Sequence, residues 1–314
     1  MKKTAVIGAG PWGRNIVKTL HGMGALHSVV EADPKVRGML AGDFPGVTIL
    51  ADYGELLGDG TVGSVAVATP APTHHRVAKT CLLAGKDVFV EKPITLTAVE
   101  AEDLVEAAER GGMILMTGHL LLYKPAVIFL KEYLASGQLG RVFTFHQERM
   151  KHGKARAVEN ALWSLGVHDV AALLHLAGSA VTGVSFSGHC GLQAGIEDDT
   201  YLHLSFADGA VAHLHNSWLW PEDRRGLRII GERGMLSYDE KSESVTLVRK
   251  TIDRTLSNVD GGTEVLFTAP AGHQALEAEL RHFLECVESR GVPRSCGRNG
   301  LEVVRILERA GGGR

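Results

Sequence analysis

The sequence predicts an α/β protein: an N-terminal doubly wound parallel sheet, followed by an α+β domain with a large, mostly antiparallel sheet. Over the first third of the chain, short apolar runs alternate with amphipathic stretches, which is typical of a parallel sheet covered by helices on both faces. After about residue 120, segments of alternating polarity follow one another, which is typical of antiparallel strands. We therefore place a domain boundary between residues 1–120 and residues 121–314, and the terminal helices can pack back on the first domain.

The elements of the first domain follow from its apolar runs. The predicted strands are "TAVIGAG", "HSVVEAD", "VGSVAVATP", "DVFVEK" and "MILMTGH". Between them, apolar residues recur every three or four positions, which predicts helices. The predicted helices are "GRNIVKTLHGMGA", "HHRVAKTCLLAGK" and "TAVEAEDLVEAAERGG". The strand–helix alternation indicates parallel pairing.

The second domain begins with the predicted helices "KPAVIFLKEYLASG" and "NALWSLGVHDVAALLHLAG" and ends with two more, "HQALEAELRHFLECVESR" and "NGLEVVRILERAG". The predicted strands include "RVFTFHQERM", which lies between the first two helices, and "TYLHLSF", "AVAHLHNSWLW" and "SVTLVRK", which lie between the two pairs. Asp208-Gly209 and Glu232-Arg233-Gly234 separate paired runs and predict hairpin turns. The outer face of this sheet keeps aromatic and aliphatic residues among polar ones, which favours a homodimer or homotetramer formed through the sheet.

Composition excludes several classes of protein. The 314 residues carry a formal net charge of −3 and are 45% apolar, so no global basic field favours nucleic acid or a membrane surface. No apolar stretch has the length of a membrane span or of a signal peptide core. The four cysteines are scattered without CxxC spacing, which favours reduced thiols and a cytoplasmic location.

A glycine turn follows the first predicted strand. In "VIGAGPWG", Gly8, Gly10 and Gly13 have the GxGxxG spacing between a strand and a helix. The first glycine permits the tight turn, the second allows a pyrophosphate to approach the backbone, and the third allows close packing of helix on strand. This pattern predicts a Rossmann dinucleotide-binding domain, with Pro11 and Trp12 of the same turn also assigned to the cofactor.

An acidic residue at the end of the second strand indicates which dinucleotide binds. Glu31 ends the apolar run, where its carboxylate can accept both ribose hydroxyls, whereas Asp33 begins the following loop and can cap the next helix. A carboxylate at this position repels a 2′-phosphate, so the sequence favours NAD. Arg14 and Lys35 keep NADP as the alternative.

The other strand ends are also informative, because open parallel sheets bind ligands beyond the carboxyl ends of their strands. Thr69 and Pro70 end one strand without a charge and are expected to lie along the cofactor, with His74 close behind. Glu91 ends the next strand and is expected to tether Lys92 or to contact the cofactor.

Lys92 stands between Glu91 and Pro93 at the end of an apolar strand. Its position predicts that the ammonium group faces the nicotinamide end of a bound dinucleotide, where it can bind a substrate hydroxyl and favour its ionisation. Pro93 restricts Lys92 to extended conformations, and a cis Lys92–Pro93 bond is a further expectation.

Taken together, "VIGAGPWG", "VATPAPTHH", "AGKDVFVEKPITLT" and "WSLGVHD" resemble the glucose–fructose oxidoreductase/inositol dehydrogenase/MocA family over essentially the whole chain. The resemblance implies a lysine and a histidine at the reacting carbon, which map onto Lys92 and His168. Many members also carry an aspartate four residues before that histidine, where this chain has Ser164. We therefore expect His168 to accept the hydroxyl proton and Lys92 to polarise the same oxygen; the two roles can also be exchanged.

Within the family, the stretches "GHLLLYKPAV" and "ERMKHGKARAVENALWSLGVHDV" resemble the branch that oxidises the 3-hydroxyl of UDP-N-acetylglucosamine. That resemblance implies a UDP-amino-sugar substrate and a downstream aminotransferase that makes the 2,3-diamino sugar of lipid A. The corresponding uronate, UDP-N-acetylglucosaminuronate, is the alternative substrate. A free sugar or polyol, and a dinucleotide sensor without catalysis, are more distant alternatives.

A nucleotide sugar brings a diphosphate, which cationic side chains bind well. The residues expected to bind the diphosphate are Lys124, Arg149, Lys154 and Arg156. Those expected to contact the sugar and its N-acetyl group are His119, Tyr123, Asn160 and Trp163, and Asp169 is expected to orient a ring or a substrate hydroxyl. His213 and His215 form an HxH pair, but no third ligand has suitable spacing, so we predict no metal site.

Overall fold

The structure is a computed structural model that describes residues 3–153, 155–253 and 255–311. The chain divides into two compact units. The first unit comprises Met1–Leu120 and Gln274–Arg305, and the second comprises Leu121–His273 and Ile306–Arg314.

The first unit is built on a six-stranded parallel sheet with the strand order β3-β2-β1-β4-β5-β6. Its strands are β1 (Lys3–Ile7), β2 (Leu26–Val30), β3 (Thr48–Leu50), β4 (Val62–Val67), β5 (Asp87–Glu91) and β6 (Leu115–Gly118). Its helices are α1 (Pro11–Gly22), α2 (Pro34–Asp43), α3 (Gly54–Leu57), α4 (His74–Leu83) and α5 (Ala98–Gly111). The strand order reverses direction at the β1–β4 junction, which is where folds of this class bind ligands.

Sequence chemistry accounts for these elements. Every residue of β4 and of β5 is buried, as expected of strands covered by helices on both faces. Asp33 caps α2 by accepting a hydrogen bond from the backbone N–H of Lys35. The Thr97 side chain caps α5 by accepting a hydrogen bond from the backbone N–H of Glu100. Gly112 ends that helix in the left-handed conformation.

The second unit contains an eight-stranded sheet with the order β14-β13-β12-β11-β7-β10-β9-β8. Its strands are β7 (Val142–Met150), β8 (Val181–His189), β9 (Asp199–Phe206), β10 (Val211–Ser217), β11 (Arg224–Gly231), β12 (Gly234–Asp239), β13 (Ser244–Ile252) and β14 (Asn258–Thr268). Its helices α6 (Pro125–Ala135) and α7 (Val167–Ala177) precede β7 and β8. After the sheet the chain forms α8 (Ala275–Ser289), which belongs to the first unit, and α9 (Gly297–Arg309), which belongs to the first unit up to Arg305. The β7–β10 pair is parallel and the other pairs are antiparallel.

The two sheets confirm the predicted fold class, and the structure confirms both predicted hairpins. Strands β9 and β10 pair across the turn that contains Asp208 and Gly209, and strands β11 and β12 pair across Glu232 and Arg233. Sequence reasoning gave no bounds for α2, although it expected Asp33 to cap a helix there, and it missed α3, β3 and β14. Strand β14 was missed because "NVDGGTEVLFT" contains Asp260 and two glycines near its start, which are poor strand formers, and most of its residues are exposed.

Among the described residues, no helix combines the length and the apolar composition that crossing a membrane requires.

Candidate functional site

The predicted cofactor residues lie at the carboxyl edge of the parallel sheet in the first unit. Reading across the sheet, Glu31 follows β2, Gly8 follows β1, Thr69 follows β4, Lys92 follows β5 and His119 follows β6. The parallel register places these strand ends along one edge, because Val90 pairs with Thr117 and Glu91 pairs with Gly118. One edge of a single unit therefore brings together a glycine turn, a carboxylate, a lysine and a histidine.

The space around each glycine of the turn is consistent with the binding of a pyrophosphate. Gly8 has a φ of 93°, and a side-chain Cβ there would lie 2.8 Å from the carbonyl oxygen of Ala68. At Gly13 a Cβ would lie 2.1 Å from the carbonyl oxygen of Gly8, whereas at Gly10 it would meet nothing within 4 Å. The space beside Gly10 is thus open to a ligand. No side chain caps helix α1, so its first N–H groups point toward that space.

Glu31 is held in place beside the glycine turn. One carboxylate oxygen accepts the N–H of Ala9 at 2.8 Å, and the other accepts the N–H of Asp33 at 3.0 Å. These bonds fix the carboxylate at the position where a ribose binds in this fold. Arg37 donates to the carbonyl oxygens of Glu31 and Ala32, and Arg14 contacts Met39, so two cations also lie around this segment.

Glu91 links strand β5 to the glycine turn. Its carboxylate accepts a hydrogen bond from the Trp12 indole at 2.5 Å and another from the Lys92 backbone N–H at 3.2 Å. Burial raises the pKa of Glu91 to about 7, although these two bonds and the Lys92 charge act in the opposite direction. Glu279 of α8 belongs to the same unit, and burial together with the Glu91 charge raises the pKa of Glu279 well above its ordinary value. Glu91, the residue before Lys92, therefore titrates near neutral pH.

This raised pKa predicts that stability falls with rising pH. The pKa of Glu91 is about 7 in the folded protein and 4.5 when unperturbed, so the folded state holds a proton that the unfolded state has released. Stability from this group is complete below the unfolded pKa and is lost as the pH rises through the folded pKa. Glu91→Gln keeps an acceptor for Trp12 but cannot ionise. The free energy of unfolding is measured with urea at pH 5 and at pH 8. We expect the decrease between these two pH values to be roughly 1–3 kcal/mol smaller in the variant than in the wild-type protein.

The control for this measurement is Glu106→Gln, which removes an exposed carboxylate from α5. Its pH dependence should match that of the wild-type protein. If Glu91→Gln also kept the full wild-type pH dependence, Glu91 would not be the group responsible.

His74 lies against the backbone that follows Lys92. His74 has one ring nitrogen 2.8 Å from the carbonyl oxygen of Pro93 and the other 2.8 Å from the carbonyl oxygen of Thr69, so it joins the ends of β4 and β5. Burial lowers the pKa of His74. The Lys92–Pro93 peptide bond is cis, as the sequence predicts. His74 was predicted to bind the cofactor, and the structure gives it this connecting role within the first unit.

His119 is fully buried, and neither ring nitrogen has a hydrogen-bond partner among the described residues. Burial, together with the positive charge of Lys92, lowers the pKa of His119 to about 3. A neutral imidazole with a free donor and a free acceptor therefore lies within electrostatic reach of Lys92. Such a side chain can hydrogen-bond to a ligand that offers both an acceptor and a donor.

In the second unit, His168 lies in the first turn of α7, directly after a π-helical segment at Leu162–Gly166. Short π-helical segments are rare and frequently occur at functional sites. His168 is half-buried. Ser164, the residue where many family members have an aspartate, accepts a hydrogen bond from the Trp218 indole at 3.1 Å.

Arg149 does not have the free guanidinium that diphosphate binding requires. It is buried at the end of β7, where Nε donates to Asp169 at 2.8 Å and a terminal nitrogen donates to Glu240 at 2.6 Å. Asp169 also accepts a hydrogen bond from Asn216 at 2.8 Å. Arg149 and Asp169, both predicted to contact the substrate, therefore lie in a buried network within the second unit.

The carboxylates of this network have shifted pKa values. Burial raises the pKa of Asp169 to about 6, while Arg149 opposes the rise. The pKa of Glu240 lies below its ordinary value, because the charges of Arg149, Lys124 and Arg225 outweigh the effect of burial. Near neutral pH the network therefore consists of ionised carboxylates and cations.

The other predicted substrate residues fall into two groups. Lys124 is paired with Glu243 and lies 3.6 Å from Glu240, so its charge is already compensated. Three further residues are buried, namely Tyr123, Asn160 and Trp163. Asn160 caps its turn by accepting the Trp163 N–H at 3.0 Å and donates to Glu197.

The loop after β7 retains accessible positive charge. Arg156 is exposed, and its nearest carboxylate, Glu159, lies 3.6 Å away. Lys151 is half-buried in the same loop. The predicted phosphate ligand Lys154 lies outside the described residues. Arg156 and Lys151 are therefore the cations that the described part of this loop offers to a phosphate.

The HxH pair has partners other than a metal. His213 lies beside His203 on the neighbouring strand, with their Nδ1 atoms 2.7 Å apart, and His215 lies 3.0 Å from Asp199. In the described part of the chain, no group of three or more His, Cys, Asp or Glu side chains is arranged to hold a metal ion.

Sequence reasoning missed Asn216, Glu240 and Glu279, which contribute to the buried electrostatics of the two units. Two of them left a signal in the sequence. Asn216 occupies an inward-facing position of the alternating strand β10, after Ala212 and Leu214, and Glu279 lies on the buried face of α8 beside Leu280 and Phe283. A polar residue at an apolar position of a periodic element is informative, because burying it requires compensation.

Comparison with known proteins identifies both parts of the chain. Residues 2–119 match the GFO/IDH/MocA model, described as an oxidoreductase family with an NAD-binding Rossmann fold, and residues 127–237 match the GFO/IDH/MocA C-terminal domain. The first unit is thus an NAD-binding Rossmann domain.

Individual relatives differ in what they act on. The 1,5-anhydro-D-fructose reductase of Ensifer adhaerens is 26% identical over 259 residues, covering 79% of this chain and 76% of the relative. The UDP-N-acetylglucosamine 3-dehydrogenase of Acidithiobacillus ferrooxidans is 26% identical over 292 residues, covering 91% and 88%.

Solved structures share the fold over nearly the whole chain. A structure of the Acidithiobacillus ferrooxidans dehydrogenase has a TM-score of 0.85 at 24% identity, covering 98% of this chain and 96% of that one. A protein assigned as an oxidoreductase from Magnetospirillum magnetotacticum has a TM-score of 0.84 at 30% identity, covering 98% of both chains.

Proposed function

Because the chain belongs to the GFO/IDH/MocA family of oxidoreductases, we propose that it oxidises the 3-hydroxyl of UDP-N-acetylglucosamine with NAD. The observation that carries the proposal is the carboxyl edge of the parallel sheet in the first unit, where the glycine turn follows β1, Glu31 follows β2 and Lys92 follows β5. A dinucleotide on the glycine turn and a lysine at the end of β5 are the parts that alcohol oxidation with a nicotinamide requires.

NAD is proposed over NADP because of Glu31. Its carboxylate is fixed by the N–H groups of Ala9 and Asp33, so it cannot easily turn away from an added 2′-phosphate. A fixed negative charge at this position repels that phosphate. Bound NAD supplies the hydride acceptor, and the residues of the chain supply the binding, orientation and proton transfer.

The proposal assigns the proton chemistry to two residues. His168 accepts the proton of the 3-hydroxyl, since imidazole titrates near neutral pH. Lys92 donates a hydrogen bond to the same oxygen and stabilises the negative charge that develops on it. The reverse assignment, with Lys92 as the base, remains the alternative for these two groups, because burial lowers the pKa of a lysine.

The choice of a nucleotide sugar is supported by two observations. The similarity to the UDP-N-acetylglucosamine 3-dehydrogenase extends over 91% of this chain, and the loop after β7 presents the exposed guanidinium of Arg156. Arginine is well suited to diphosphate oxygens. The same observations support UDP-N-acetylglucosaminuronate as the second candidate, since it carries the same UDP group. The similarity to the 1,5-anhydro-D-fructose reductase supports a free sugar as the third candidate substrate.

We further propose that a transaminase consumes the product, because transfer of an amino group from an amino-acid donor to the 3-keto group gives a 2,3-diamino sugar and converts the donor to a keto acid. The proposal also includes a homo-oligomer that forms through the outer face of the second unit's sheet, where Tyr201 is exposed.

Arg156→Ala tests the nucleotide part of the proposal. Isothermal titration with UDP, in the presence of saturating NAD, should show about a 10-fold weaker affinity, since a charge-assisted bond to phosphate contributes roughly 1.5–3 kcal/mol. The affinity for NAD should remain within about twofold.

The matched control is Arg249→Ala, which removes another solvent-exposed arginine of the second unit that is paired with a carboxylate. It should leave both affinities unchanged. Equal losses of UDP and NAD binding in Arg156→Ala would indicate general damage to the protein, and an unchanged UDP affinity would remove Arg156 from the site.

A further inference from the structure

His168 lies between two residues that are fixed to the sheet of the second unit. Gly166 stands two positions before it, and Asp169 stands directly after it. Both neighbours are fully buried, while His168 itself is half-buried. The backbone that carries His168 is therefore restrained on each side of the imidazole.

The first restraint is the close packing of Gly166 against Asn216 of β10. A side-chain Cβ at Gly166 would lie 2.4 Å from Oδ1 of Asn216 and 2.6 Å from Cδ1 of Leu162. Only a glycine therefore permits this approach without displacing its neighbours. The packing fixes where the π-helical segment ends and where α7 begins.

The second restraint is the carboxylate of Asp169, whose two oxygens have different partners. Oδ1 accepts Nε of Arg149, from β7, and Oδ2 accepts Nδ2 of Asn216, from β10. Strands β7 and β10 are neighbours in the sheet, and Arg149 and Asn216 are direct partners in their register. One carboxylate on the first turn of α7 is thus bonded to two adjacent strands.

Arg149 is itself held by a second carboxylate. Glu240 accepts two hydrogen bonds from its terminal nitrogens, at 2.6 and 3.3 Å. Since Arg149 and Asp169 are buried, this fixed geometry compensates charges that would otherwise be costly to bury. Apolar side chains would stabilise the interior as well or better, so stability alone does not account for the network.

We propose that Arg149, Asp169 and Asn216 are positioning residues for His168. They hold the first turn of α7 so that the imidazole keeps one orientation, and the charge of Asp169, the residue after His168, offsets that of Arg149. This inference rests on the proposed function only in that His168 is the proton acceptor. The network itself is not expected to contact the substrate.

Asp169→Asn tests this role, because it preserves the shape of the side chain and removes its charge. Turnover of UDP-N-acetylglucosamine with NAD should fall about 10–100-fold in kcat, while KM changes less than about threefold, as for a misplaced catalytic group. Arg149 then keeps only Glu240 as its carboxylate partner, and the loss of the negative charge next to His168 in the chain lowers the pKa of the imidazole. The acid limb of the pH–rate profile should therefore move by roughly half a unit to lower pH.

NMR provides a readout that needs no substrate. In protein labelled with ¹³C-histidine, the His168 ring signal is assigned by its loss in His168→Asn, and its pKa is measured by titration. In Asp169→Asn this pKa should be lower than in the wild-type protein. If the pKa and kcat both stayed at wild-type values, the positioning role would be overturned.

Two further variants complete the test: a double variant that exchanges the carboxylate and the amide, and a single variant that removes no charge. The double variant Asp169→Asn/Asn216→Asp restores a carboxylate–amide bond in the reverse direction, and we expect kcat to recover at least about fivefold over Asp169→Asn. If Asp169→Asn does not fold, Asn216→Ala carries the test, since it removes one bond of Asp169 without removing a charge. It should lower kcat about 10-fold, and an unchanged kcat would overturn the proposal.

Failure of the proposed function has a different signature. If His168→Asn retained wild-type turnover, His168 would not be the proton acceptor, whereas the NMR titration of Asp169→Asn would still report whether the network controls the imidazole. If His168→Asn abolished turnover and Asp169→Asn changed neither kcat nor the pKa, the positioning role alone would fail.

Discussion

Replacing Lys92 by methionine is expected to lower kcat for NAD-dependent alcohol oxidation by at least about 1,000-fold, while the affinity for NAD stays within about twofold. Methionine preserves much of the length of the side chain and removes the ammonium group. Loss of a group that polarises the reacting oxygen costs roughly 10²–10⁴ in rate. Stopped-flow or steady-state absorbance of reduced nicotinamide measures kcat, and quenching of tryptophan fluorescence measures NAD binding.

The surroundings of Lys92 explain why such a change should affect chemistry more than folding. Lys92 is half-buried at the end of β5, and its backbone N–H is bonded to Glu91. The matched control is Lys79→Met, a lysine of α4 in the same unit that pairs with Asp103. Lys79→Met should keep wild-type turnover, and near wild-type turnover in Lys92→Met would remove Lys92 from the catalytic assignment.

His168→Asn is expected to lower kcat by about 10²–10⁴-fold and to remove the acid limb of the pH–rate profile. Asparagine can form hydrogen bonds but cannot accept a proton near neutral pH, so the variant separates proton transfer from binding. KM for the sugar nucleotide should change less than about fivefold. The measurement is the pH dependence of kcat/KM from pH 5 to pH 9.

The control for this variant lies on the same helix. His175→Asn removes a histidine from the last turn of α7 and should leave the profile unchanged. If His168→Asn kept the acid limb, another group would be the base, and Lys92 would become the leading candidate.

The edge of the parallel sheet could be predicted from the sequence because its signal is local. Each strand is a short apolar run, and each run stops at a residue that does not belong in a core, such as Glu31 or Lys92. Parallel pairing then places these ends along one edge without further information. The glycine spacing is a local signal of the same kind.

The partners of the charged residues could not be predicted in this way. Arg149, Asp169 and Glu240 lie far apart in the chain, and they meet because β7, the turn after β12 and α7 pack together in one unit. In the sequence, Arg149 resembles any other cation of a basic segment. Its burial and its two carboxylate partners make it a structural arginine, while Arg156, seven residues later, stays exposed.

The central claim is that this chain is an NAD-dependent 3-dehydrogenase of a UDP-amino sugar, and one turnover assay tests it most directly. The protein is incubated with NAD or NADP and with UDP-N-acetylglucosamine, UDP-N-acetylglucosaminuronate, N-acetylglucosamine or myo-inositol, with hydroxylamine present to trap a ketone. Formation of reduced nicotinamide is followed by absorbance. We predict signal with NAD and UDP-N-acetylglucosamine, and none with the sugars that lack UDP. Turnover of a free sugar or of inositol, without turnover of either UDP-sugar, would contradict the account.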